Sequence, residues 1–143
     1  MRRSLWVPLA LALCLGGCAK FRRARECKAL VATINSAAAK LRADRPTDNA
    51  DLPAVVKDAR DLAQGYQKLA DQLKALNVRS PELETTARDY ATMAGRAADA
   101  TREIATALER MDAPSAERQR ALFNRVSKEE DQLVDRIDAV CGR

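Results

Sequence analysis

Residues 55–76 read VVKDARDLAQGYQKLADQLKAL, with apolar residues at Val55, Ala59, Leu62, Tyr66, Leu69, Leu73 and Leu76 in alternating steps of four and three. That average step lays all of them along one narrow side of an α-helix, the side that packs knobs into holes against a neighbour. Lys, Asp, Arg and Gln fill most of the other positions and suit water. A strand would alternate every second residue, so the stretch is helical and half-buried.

The same beat continues on both sides. Downstream it runs through Leu83, Ala87, Tyr90, Ala94, Ala97, Thr101, Ile104, Leu108 and Met111; upstream it runs through Cys27, Leu30, Ile34, Ala37 and Leu41. A fourth segment is less regular, with Leu122, Val126, Leu133, Ile137 and Val140 or Cys141, and with Glu129 or Glu130 where an apolar residue is due. Pro53, Pro81 and Pro114 suit first helical turns, where a missing N–H costs nothing, and Ser80 is a good N-cap. Asn77 and Gly142 sit where helices stop, and RPTDNAD over residues 45–51 is the one long loop. Helices are therefore expected over about 20–43, 53–77, 81–111 and 114–141. Short connections make neighbours antiparallel, so the expected fold is all-α: an up-down-up-down four-helix bundle with coiled-coil-like heptad packing. A long coiled-coil dimer or trimer would use the same apolar residues; the prolines and the RPTDNAD break favour the compact bundle.

The first residues set a different expectation. Arg2 and Arg3 precede an apolar run from Leu5 to Leu15, and Gly16 and Gly17 follow. Eleven helical residues at ~1.5 Å each cover about half of a ~30 Å hydrocarbon core, so the run is the length of a secretory leader and too short for a span. Leu15-Gly16-Gly17-Cys18 resembles the bacterial lipobox, the processing signal of lipoprotein precursors. The resemblance covers the leader alone. It implies cleavage after residue 17, a diacylglyceryl thioether on Cys18 and N-acylation of that residue. Domains follow as a leader over 1–17 and a bundle over 18–143. Two or three acyl chains hold a protein stably to a bilayer. Under the family's sorting rule, Ala19 after the cysteine implies the outer membrane rather than the inner, with the bundle facing the periplasm. Gly17-Cys18-Ala19 also reads as an ordinary leader cleavage site, an alternative in which Cys18 is removed.

Cys14 lies in the leader and Cys18 at the lipid site, which leaves Cys27 and Cys141 in the folded part. An oxidising compartment favours pairing two such thiols. Four antiparallel helices at ~1.5 Å per residue carry the chain from Cys27 back to within about 7 Å of its start at Cys141. Three helices would leave the two cysteines at opposite ends. A Cys27–Cys141 disulfide is expected, the alternative being two buried free thiols.

Composition narrows the function classes. The chain has no His, so it lacks the usual general base and the commonest metal ligand, and no haem or metal spacing surrounds its cysteines. Gly-rich phosphate loops and nucleophile motifs are missing, and Glu129, Glu130 and Asp131 splay around a helix instead of converging on a substrate. Neither enzyme, metal nor cofactor is expected. The formal charge of +5 falls to +3 without Arg2 and Arg3, and acids are interspersed throughout, which disfavours nucleic acid as a partner. Lys20, Arg22, Arg23 and Arg25, with Phe21 among them, form a basic segment next to the lipid site. Two readings of it stand: a patch lying on anionic headgroups, or the solvated start of the first helix. Tyr66 and Tyr90 are expected in the core, with hydroxyls at the rim. The expected role is that of a non-enzymatic envelope lipoprotein, anchored in the membrane through Cys18, whose bundle engages a protein partner or acts as a spacer. The alternative is a bundle holding a small apolar ligand or lipid.

Overall fold

The computed structural model describes residues 9–43 and 51–142, without the side chains of 9–18 and 43. Four helices follow in chain order: α1 (Leu9–Ala43), α2 (Leu52–Ala75), α3 (Pro81–Glu109) and α4 (Ala113–Cys141). Among the described residues there is no strand, and the helices pack as a four-helix bundle. Most of the RPTDNAD loop lies outside the described residues.

The expected boundaries hold to within two residues at the ends of α2, α3 and α4. The start of α1 differs: the chain is already helical at Leu9, the first described residue, instead of from near residue 20, and the helix runs unbroken past position 18. The Leu and Ala residues over 9–15 are strong helix formers, so helical backbone continues directly from the leader into the bundle. Pro53, Pro81 and Pro114 each occupy a first turn, as expected. Asp51 caps α2 by accepting the Ala54 N–H at 3.0 Å, and Asp112 caps α4 by accepting the Ser115 N–H at 3.0 Å.

Met111 departs from its expected role as the last apolar residue of the α3 stripe. It is 83% exposed and sits past the helix end with φ 55°. The Asp112 N–H bonds to the Ala107 carbonyl and the Met111 N–H to the Leu108 carbonyl, the paired bonds of a Schellman stop. That stop needs a left-handed residue, where a Cβ costs about 1 kcal/mol or more. Met111→Gly is therefore expected to raise the unfolding free energy by about 1 kcal/mol, measured by denaturant titration; a loss of stability would show that the side chain makes a stabilising contact.

The core is wider and less symmetric than four equal stripes. α3 packs along its length between α2 and α4, and it buries Thr86, Ala91, Met93, Ala98, Ala100, Ala105 and Ala107 besides the expected stripe from Leu83 to Thr101, whereas Ile104 and Leu108 of that stripe are only partly covered. On α2 the beat rotates, so that Val56, Ala63 and Ala70 are buried while Val55, Ala59 and Leu62 are only partly covered. The reason is length. From Cys27 to Ala43, α1 spans about 24 Å, whereas 29 residues of α3 span about 43 Å. Among the described residues, four helices pack at the end near Cys27, and the far end, where Arg60 of α2 pairs with Glu109 of α3 at 2.5 Å, is three helices thick. The main apolar cluster accordingly gathers at the four-helix end, around the fully buried Leu30, Leu83, Tyr90, Met93 and Val126. Where α1 crosses α2, a Cβ on Gly65 would lie 2.5 Å from Leu41 Cδ2, so the glycine permits the close approach.

Candidate functional site

Two regions of the bundle carry chemistry. The first is the four-helix end. Cys27 of α1 and Cys141 of α4 are disulfide-bonded there, with Cα atoms 5.8 Å apart. This is the junction expected from the even number of helices. Immediately before it lies Glu26, 8% exposed and not anticipated from the sequence. Its carboxylate accepts the Arg79 N–H at 3.2 Å, the Ser80 N–H at 3.1 Å and the Ser80 hydroxyl at 2.6 Å. Ser80 does stand at the N-cap of α3, but its side chain makes no cap bond because the hydroxyl is spent on Glu26. One carboxylate thus ties α1 to the α2–α3 connection. A readable signal existed: Glu26 lies one helical turn before Leu30, on the side of α1 that faces the core.

Burial alone would push the Glu26 carboxyl up, but the Ser80 hydroxyl, the two backbone N–H groups and the nearby Arg22 outweigh it and hold it below its ordinary value. A depressed carboxyl stabilises the fold above the unfolded-state pKa, and that contribution disappears as pH falls through the folded value. Unfolding midpoints measured between pH 6 and pH 3 should therefore drop on the acid side, and Glu26→Gln should flatten that drop. An identical pH profile for the variant would refute the role of this carboxylate.

The basic segment does not act as a unit. Arg23 turns into the bundle, donating to the Val140 carbonyl at the end of α4 and lying 3.6 Å from Glu82 of α3. There it neutralises carbonyl dipoles at a helix C-terminus. Lys20, Arg22 and Arg25 remain exposed, as does Phe21 at 70%. Arg22 lies 3.9 Å from Glu26. Arg79, from the α2–α3 connection, joins Arg22 and Arg25 around a recess of about 290 Å³ beside Glu26. The backbone at Cys18 belongs to α1, while its side chain, and so the expected lipid site, lies outside what is described.

The second region is the seam between α1 and α4, helices that approach each other little. A cleft of about 550 Å³ opens there, floored by Tyr66, Leu69 and Tyr90 and walled by Ile34, Leu62 and Phe123. Tyr90 is fully buried, as expected of a core tyrosine, and its hydroxyl donates to Glu130. Burial, then the Glu130 bond and charge, push that hydroxyl far above the usual tyrosine range, so it stays a neutral donor. Tyr66 meets Phe123 edge to face with ring centres 5.8 Å apart. The irregular charged layer of α4 is thereby resolved. Glu130 is half-buried at the rim of this cleft, while Glu129 pairs with Arg96 of α3 and Asp131 faces solvent.

Among the described residues no cluster of His, Cys, Asp or Glu is arranged to hold a metal, and no helix is long and apolar enough to cross a membrane. Comparison with known families, curated proteins and solved structures finds no match.

Proposed function

We propose that this chain is a lipid-anchored, non-enzymatic lipoprotein of the bacterial cell envelope, held by acyl chains on Cys18 in the outer membrane and facing the periplasm. In this reading the bundle is an interaction or spacer module for an envelope protein. The observation that carries it is the disulfide: Cys27, nine residues beyond Cys18 of the lipobox-like Leu15-Gly16-Gly17-Cys18, is joined to Cys141. Stable disulfides belong to oxidising compartments, which is where such a leader would deliver the chain. The continuity of α1 also supports the reading, because a tether at position 18 would pass its orientation into the bundle through unbroken helix. The outer faces suit a partner or solvent: Arg60–Glu109, Arg96–Glu129 and Arg136–Asp89 link neighbouring helices across charged surface. Exposed pairs of this kind add about 0.2–1 kcal/mol each.

Cys18→Ser tests the anchor. The variant should lose fatty-acid labelling and leave the membrane fraction; unchanged labelling and sedimentation would overturn the reading. A second reading rests on the seam cleft, whose size and aromatic floor suit a small apolar ligand or lipid. Native mass spectrometry of the purified protein should then show a retained mass, and a bare polypeptide mass would count against it.

A further inference from the structure

We propose that the recess formed by Arg22, Arg25 and Arg79 seats the phosphate of an anionic phospholipid headgroup, docking the four-helix end of the bundle on the membrane surface. The inference rests on the lipid-anchor reading for its orientation.

Three observations lead to it. Charge is locally unbalanced here: three guanidinium groups, of Arg22, Arg25 and Arg79, line one recess that holds a single carboxylate. At this end, among the described residues, Arg25 has no acidic partner and Arg79 reaches only Asn77 Oδ1, at 3.4 Å. The recess holds one acid, Glu26, and its oxygens are taken up by the Arg79 and Ser80 N–H groups and the Ser80 hydroxyl, with Arg22 a further 3.9 Å away. Guanidinium forks left without carboxylates are suited to bind phosphate oxygens in pairs.

Placement is the second observation. Positions 18, 22 and 25 are separated by four and three residues on continuous helix, so they share one side of α1. An acylated position 18 would stand ~10 Å along the axis from Arg25, about the depth of a headgroup layer. Third, Phe21, next to Arg22 on α1, is 70% exposed, a largely uncovered aromatic ring that suits the interface between headgroups and acyl chains. Arg79 could not have been added from the sequence, because it lies over fifty residues from Arg25 and arrives there through the bond network of Glu26.

The test uses the purified full-length gene product in vesicles, with intact mass reporting whether Cys18 carries acyl chains. Phe21→Trp in a Trp6→Phe background supplies the one fluorescent tryptophan, quenched by bromine atoms on the lipid chains just below the headgroups. Quenching is expected in phosphatidylglycerol vesicles and not in phosphatidylcholine. Each guanidinium near an anionic surface is worth about fivefold, so Arg22→Gln with Arg25→Gln and Arg79→Gln should shift docking on the order of 100-fold towards the undocked state. Equal quenching in both lipids, or quenching unchanged in the triple variant, would overturn the proposal. So would a photocrosslinker at position 25 that captures protein in place of lipid in cells. An intact mass without acyl chains would sink the anchor alone; the chain mixed with vesicles should still prefer phosphatidylglycerol through these arginines, and absence of that preference would sink the recess as well.

Discussion

Removing the Cys27–Cys141 bond, by reduction or in the Cys27→Ser/Cys141→Ser double variant, is expected to lower the unfolding free energy by about 4–5 kcal/mol. The bridge closes a loop of 114 residues, and the chain-entropy relation for that length returns a value near the top of the usual range. Domains of this size hold only about 5–15 kcal/mol in total, so the loss should lower the melting temperature by about 15 °C. The double variant is the better test, since a single change leaves a lone thiol free to cross-link. The effect should also be uneven. α1 packs on the rest of the bundle far less than α3 packs on α2 and α4, and its fixed points crowd at Arg23, Glu26 and Cys27. Without the bridge, amide exchange should therefore rise first along α1 from residue 27 to 41, while the three-helix unit stays protected. A melting temperature unchanged by reduction, with the same exchange pattern, would show that α1 is held by packing alone.

Tyr90 should give the second large effect. Its ring is fully buried where α3 meets the apolar cluster, and its hydroxyl donates to Glu130. Tyr90→Ala would remove the ring and open the core into the seam cleft, at a cost of about 3–5 kcal/mol for a large aromatic truncated to alanine. Tyr90→Phe separates the two contributions. It keeps the packing and deletes only the hydroxyl, and because Glu130 is half-exposed its carboxylate can turn to water, so the cost should be about 1 kcal/mol. Denaturant titration of both variants measures the difference. If Phe proved as costly as Ala, the hydrogen bond would dominate and the packing account would fail.

Much of this fold was legible because helices are local. Pro53, Pro81 and Pro114 marked three first turns correctly, and the residues spanning Val55 to Leu76 announced their period without reference to any partner. Where the expectation slipped, a local helix stop or a partner from another helix was responsible. Met111 fits the α3 beat, yet the left-handed stop places it outside the helix. Ser80 stands where a capping serine belongs, yet a carboxylate from α1 claims its hydroxyl. The basic segment reads as one patch in the chain, yet Arg23 leaves it for the end of α4 and Arg79 enters the space beside it.

The chain alone determined the number of helices, their direction and the meeting of Cys27 with Cys141, because period, punctuation and length in residues translate directly into axial distance. Tertiary structure decided the rotation of each helix about its own axis, and with it the partners of Glu26, Arg79, Tyr90 and Glu130. Alanines on several sides of α3 leave that rotation nearly degenerate in the pattern. Only packing against α2 and α4, and a first helix too short to cover the far end, selects one arrangement.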